Sequence, residues 1–198
     1  MENGVAVQRI VEASWRAIAK DGVRKFRVGD VARDAGVSVG LVYYHFENRI
    51  GLLRATMDYA SRVVPQTGLL DPSPEDTARR DGFERLRALL LADFAGNESS
   101  QDNAVVWYEI MGEAIFEPEV RGPVNATLTE WHALIRGAIQ AGQQDGSMRD
   151  DVSADEVADV LTSLIDGLLA RVITGLIDWD QARTTLIQAL DTLLLPAR

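Results

Sequence analysis

The chain has 198 residues, 46% of them hydrophobic and 25% charged, a globular balance with room for one ordinary domain and a small one. The absence of cysteine excludes disulfides, thiolate metal sites and cysteine nucleophiles, and no apolar run approaches the ~18 residues of a membrane span. The net charge of −10 is unevenly placed: residues 1–62 carry 10 Lys and Arg against 7 Asp and Glu, and the remainder carries 10 against 23, so a mildly basic head precedes an acidic body.

The N-terminus lacks the basic patch and apolar core of a secretory signal, so a cytoplasmic location is expected. A first helix is predicted over about 5–20, with Val7, Ile10, Val11, Ser14, Trp15 and Ile18 as its apolar stripe. Asp21-Gly22 ends it. Arg24, Lys25 and Arg27 form a basic link, anchored by Phe26 with Trp15 and Phe46 as expected neighbours. Residues 28–46 then read as helix, tight turn and helix. Val28, Val31, Ala32 and Ala35 recur at helical spacing, Gly36 supplies a positive-φ stop, and Ser38 is a good N-cap. Leu41 and Val42 point inward, which leaves Val39, Gly40, Tyr43, Tyr44 and His45 outside. A helix-turn-helix lays its second helix in the DNA major groove.

Asn48 is placed to cap a fourth helix to about residue 64, carrying Ile50, Leu52, Leu53, Met57 and Val63. Pro65, Gly68, Pro72, Ser73 and Pro74 mark a loop. Two domains are expected, a helix-turn-helix head, 1–50, joined by the helix over about 49–64 to a body, 51–198, with the boundary between head and body placed near that loop. In the body, helices are predicted over about 75–94, 102–116, 119–144, 154–173 and 178–195. Pro118 separates the second from the third, and Ser153 with Glu156 forms a capping box. No strand alternation is visible. The expected fold is all-α, a three-helix head plus a larger helical domain, with about nine helices in all.

Taken in order, these features resemble the TetR family of bacterial transcriptional regulators. The motif runs Ala-Gly-Val-Ser-Val-Gly-Leu-Val-Tyr-Tyr-His-Phe-Glu-Asn-Arg-Ile-Gly-Leu-Leu, residues 35–53, and the resemblance covers about 5–62. A weaker resemblance to the branch that includes the betaine-pathway (BetI-like) repressors rests on Trp107, Ala114, Pro118-Glu119-Val120-Arg121, Gly146, Asp150-Asp151-Val152 and Asp166-Gly167-Leu168. The resemblance implies DNA contacts at Tyr43, Tyr44 and His45, and a phosphate contact at Arg49, where the family usually has lysine. Ser38, Arg27, Val28, Val39 and Gly40 complete the candidate DNA surface. Two positions depart from the pattern. Val39 replaces a frequent polar residue, so it offers a thymine-methyl contact instead of a base hydrogen bond. Arg27 replaces a Ser or Thr cap, exchanging the cap for a cation near a phosphate or the minor groove.

In the body, Phe94, Trp107, Tyr108, Met111, Trp131 and Leu164 are the candidate lining of an effector cavity, as the resemblance implies. Glu109, Glu113 and Asp166 are candidates to face a cationic ligand. The last two helices have wide apolar faces, and the resemblance implies a four-helix homodimer interface through Val160, Leu164, Leu168, Leu186, Leu190 and Leu193. His132 is read as plain packing or solvent exposure. The sequence has no glycine-rich phosphate loop, no Gly-x-Ser-x-Gly elbow and no conventional metal-ligand set, so neither enzyme activity nor a cofactor is expected. The reading is a homodimeric repressor released from a pseudo-palindromic DNA operator by a small-molecule effector, with the fourth helix as connector. The alternative is a DNA-binding protein whose body serves only for dimerisation or partner binding.

Overall fold

The computed structural model describes residues 2–66 and 80–196; the fold is all-α, with nine α-helices and no strand among them. They are α1 (Glu2–Asp21), α2 (Val28–Asp34), α3 (Val39–Phe46), α4 (Arg49–Gln66), α5 (Gly82–Ala92), α6 (Glu98–Phe116), α7 (Pro118–Gln144), α8 (Ala154–Ile173) and α9 (Trp179–Leu194), with a 3₁₀ turn at Val23–Lys25 after α1. Most of the loop expected at 65–74 and the start of the helix expected from 75 lie outside the described residues. The break at Pro118 falls as expected: α6 stops at Phe116 and α7 opens on the proline, whose missing N–H is no loss in a first turn.

The chain divides into two compact units, Met1–Val64 with Gln101–Thr127, and Pro65–Ser100 with Leu128–Arg198. The first break, between Val64 and Pro65, lies at the start of the loop expected from Pro65, and 101–127 join the first unit. Long-range polar bonds join these segments within the first unit. Trp15 donates its indole N–H to Asn103 at 3.3 Å, and Val23 and Arg49 bond to Glu109 and Glu113. Most of α6 therefore groups with the head.

In the first unit, Ile10, Ile18, Val31, Val42, Leu52, Leu53 and Met57 are buried, the apolar stripes of α1 to α4 turned inward. Phe26 is buried as expected. Its ring lies against the Arg49 guanidinium, whereas Trp15 meets Tyr59 edge-on with ring centroids 6.4 Å apart. Buried Ser14 and Thr56 hydroxyls donate to the Ile10 and Leu52 carbonyls, which satisfies both without a distant partner.

In the second unit, Leu86, Leu90 and Phe94 join Ile135, Ile139, Leu161, Ile165, Leu186 and Leu190 in the buried core. The start of α5 is capped from a distance: Gly82 N–H donates to Asp145 and Phe83 N–H to Ser147, while Asp81 accepts from Glu84 N–H. Gly82 approaches the Gly142 backbone so closely that a Cβ would overlap it. Ser153 caps α8 from one side only, accepting from Glu156 N–H at 3.4 Å. The complete reciprocal box is instead Asp178 with Gln181 at the start of α9.

Candidate DNA-binding head and effector-contact residues

The turn between α2 and α3 is built from local sequence. Gly36 takes φ 65°, its N–H bonds to the Arg33 carbonyl at 3.0 Å, and the Val37 N–H bonds to the Ala32 carbonyl at 2.9 Å. These paired bonds form a Schellman stop, which consumes carbonyls that a helix end leaves unpaired. Arg9 of α1 donates to the Ala35 carbonyl at the same corner. Ser38 then accepts the Leu41 N–H at 3.2 Å and starts α3. Arg27 precedes α2 without any side-chain cap, as its replacement of Ser or Thr predicts.

Fixed in this way, α3 exposes Tyr44 at 75%, Tyr43 at 46% and Val39 at 42% while Val42 and Phe46 are buried. Gly40, Ser38 and Arg27 are also exposed. Arg24, Lys25 and Arg27 put exposed cations just ahead of α2. The surface is a short helix with an aromatic and apolar outer face and flanking positive charge, suited to a groove walled by phosphates.

Three candidate residues are placed differently. Val28 is buried, because it begins the inward stripe of α2, so its side chain serves the core. His45 is half-buried: its ring stands edge-on to Tyr44 at 5.1 Å and to Phe46 at 6.2 Å, and its buried Nε2 has no hydrogen-bond partner among the described residues. Arg49 is engaged inside the chain. Its Nη1 lies 2.9 Å from Glu113 Oε1, and its Nη2 donates to the Val23 carbonyl at 3.1 Å.

The candidate effector residues divide between the two units. Trp107, Tyr108 and Met111 lie on α6 in the first; Phe94, Trp131 and Leu164 belong to the second. All are half-buried except Phe94, which exposes nothing. Trp179 closes over Phe94, edge-on at 6.5 Å, and Phe94 is packed in the core. Glu109 and Glu113 do not await a ligand: Glu109 accepts the Val23 N–H at 2.8 Å, and Glu113 holds Arg49. The carboxyl of Asp166, the third acidic candidate, is raised by burial. Its neighbour Asp93 is raised further, to about 7, by burial first and then by the Asp166 charge. Asp93 follows the last turn of α5 and carries no local signal in the sequence; its burial and the nearby Asp166 of α8 distinguish it.

The proposed interface leucines also sort by burial. Leu168, Leu186 and Leu190 are buried within the single chain, where α8 packs on α9, and cannot lie on an outer face. Val160 is 50% exposed, and Leu164 and Leu193 are half-buried. His132 Nε2 is buried and lies 3.0 Å from the Asp159 carboxylate, an ion pair between α7 and α8 when the imidazole is protonated. No described helix is long and apolar enough to cross a membrane.

Comparison with known proteins gives these features a family. Residues 10–56 match bacterial regulatory proteins of the tetR family, and residues 83–195 match the C-terminal region of BetI-type transcriptional repressors. The chain is 26% identical to the HTH-type transcriptional regulator BetI of Burkholderia lata over 163 residues, 82% of this chain and 79% of that protein. A TetR-family transcriptional regulator from Rhodococcus sp. superposes with a TM-score of 0.88 at 32% identity, covering 96% of this chain and 99% of that one. A transcriptional regulator from Saccharomonospora viridis, solved in complex with choline, superposes with a TM-score of 0.79 at 28% identity, covering 97% and 98%. With both regions matched in order along one all-α chain, this protein belongs to the TetR family of DNA-binding transcriptional regulators, in its BetI-type branch.

Proposed function

We propose that the protein is a homodimeric repressor that holds a pseudo-palindromic operator through α3 and is released by a small-molecule effector. The observation that carries this reading is the exposed row Val39, Tyr43 and Tyr44 on a helix fixed at its start by Gly36 and Ser38. Two such helices at a fixed spacing would read two half-sites, and that spacing is what an effector changes. Ser38, Gly40 and Arg27 supply further contacts, with Tyr43 at the centre. The dimer face is the outer side of α8 around Val160, with Leu164 and Leu193 at its margin.

The effector class best supported is a small organic cation. The choline complex of the Saccharomonospora viridis relative favours it, and so does the Asp93–Asp166 carboxyl pair in this chain. Trp131 adds an aromatic face of the kind that attracts quaternary ammonium. The reading in which the body has no effector draws on Phe94, which is packed where a cavity wall was expected.

Two measurements test the proposal. Tyr43→Ala should abolish binding to a duplex that the wild-type protein enriches from a random pool, with the chain still folded; normal binding would refute the assignment of α3. Calorimetry should detect choline but not a neutral or anionic analogue. Heat from the anion alone would overturn the cationic class, and no heat from any of the three would favour the effector-free body.

A further inference from the structure

The geometry points to Arg49 as a positioning residue that clamps the head to α6, and not as a phosphate contact. Its guanidinium is used on three sides. Nη1 pairs with Glu113 Oε1 at 2.9 Å, Nη2 donates to the Val23 carbonyl at 3.1 Å, and the Phe26 ring centroid lies 5.8 Å from Cζ. The Arg49 side chain is 34% exposed and that of Glu113 18%. A phosphate could claim this cation only by stripping a carboxylate of its partner in a half-buried setting, which is costly.

Glu109, one helical turn before Glu113, completes the clamp. Its Oε2 accepts the Val23 N–H at 2.8 Å, and the same carboxylate fills the open face of Gly22, where a Cβ would lie 2.9 Å from that oxygen. Gly22 has φ 77°, a conformation suited to glycine. Val23 is therefore held from both ends of its peptide: its N–H by Glu109 and its carbonyl by Arg49, itself held by Glu113. Arg49 opens α4 three residues after Phe46, the last residue of α3. Between them, Glu47 at φ 63° and the Asn48 N–H to Phe46 carbonyl bond make a turn too tight to absorb a shift. The attitude of α3 is thus tied to α6 by two carboxylates and one arginine.

Salt dependence separates a clamp from a phosphate contact. Each phosphate contact adds about 0.9 to the slope of log affinity against log salt. The duplex enriched by the wild-type protein is titrated at several salt concentrations with Arg49→Gln, Arg49→Lys, Glu113→Gln and the Arg49→Gln/Glu113→Gln pair. A clamp predicts that each single variant weakens binding by about tenfold or more, with the wild-type slope retained. The double variant should be no worse than the weaker single one, because both remove one interaction. Arg49→Lys should fail nearly as badly as Arg49→Gln, since one ammonium cannot reach Glu113 and the Val23 carbonyl while covering Phe26. The proposal is overturned if Arg49→Lys binds like the wild type, if Glu113→Gln has no effect, or if Arg49→Gln lowers the slope by about 0.9 per bound protomer. Glu113→Gln is nearly isosteric, so it reports even if an Arg49 variant folds poorly.

Discussion

Gly51, on the first turn of α4, lies so close to the Phe46 carbonyl that a Cβ there would overlap the oxygen. The corner between α3 and α4 closes only because position 51 has no side chain. Gly51→Ala must therefore open the corner or shift α4, an overpacking that costs about 1–3 kcal/mol. Thermal melting should show the loss, and DNA affinity should fall more than stability does, because α3 is the element displaced. A variant with unchanged melting and binding would show that the corner relaxes freely.

Ser38→Ala removes the acceptor for the Leu41 N–H at the start of α3. An N-cap loss of this kind costs about 1 kcal/mol. The contrasting change is Ser38→Asp, which keeps a cap but places an anion where the duplex phosphates are expected. Both variants should lose operator affinity, and only the alanine should lose stability. Denaturant unfolding beside a mobility-shift titration distinguishes them.

The Asp93 carboxyl, pushed up to about 7, makes stability depend on pH. An ordinary unfolded carboxyl titrates near 4, so between about 4 and 7 the folded chain holds a proton that the unfolded chain has released. This contribution is present at low pH, declines as pH rises through that interval and is level above it. Asp93→Asn should flatten the decline and melt higher than the wild type at pH 8, by about 2–4 °C for each kcal/mol recovered. If the two melting curves run parallel from pH 5 to 8, burial of Asp93 is not the cause. In the wild type, choline binding should strengthen over the same rise, as the carboxyl acquires its charge.

Val160 and Leu186 make opposite predictions on neighbouring helices. Val160 is half-exposed on α8, so Val160→Arg should leave each chain folded and shift sedimentation from dimer to monomer. Leu186 is fully buried on α9, so Leu186→Ala should cost about 2–5 kcal/mol whatever the oligomeric state. A dimer that survives Val160→Arg would move the interface elsewhere.

The sequence by itself determined whatever depends on neighbouring residues. Gly36 after Ala35, Ser38 before Val39, Asn48 before Arg49 and Pro118 after Glu117 set helix ends through bonds spanning only a few positions, and each lies where the sequence places it. The exposed Tyr43–Tyr44 pair follows from those ends, because helical periodicity leaves it no inward side. Only the tertiary structure decided which partner each long side chain met. Arg49 matches a phosphate-binding position, but Glu113, 64 residues away, holds it. Glu109 and Glu113 read as ligand carboxylates and instead grip the head. Leu168 shares an apolar stripe with Leu164 on α8, and Leu186 and Leu190 share one with Leu193 on α9, and a stripe does not say which of its edges a neighbouring helix will cover. Local chemistry fixes where a helix starts and stops; the contact that consumes a charge or buries a leucine is fixed by packing between segments distant in sequence.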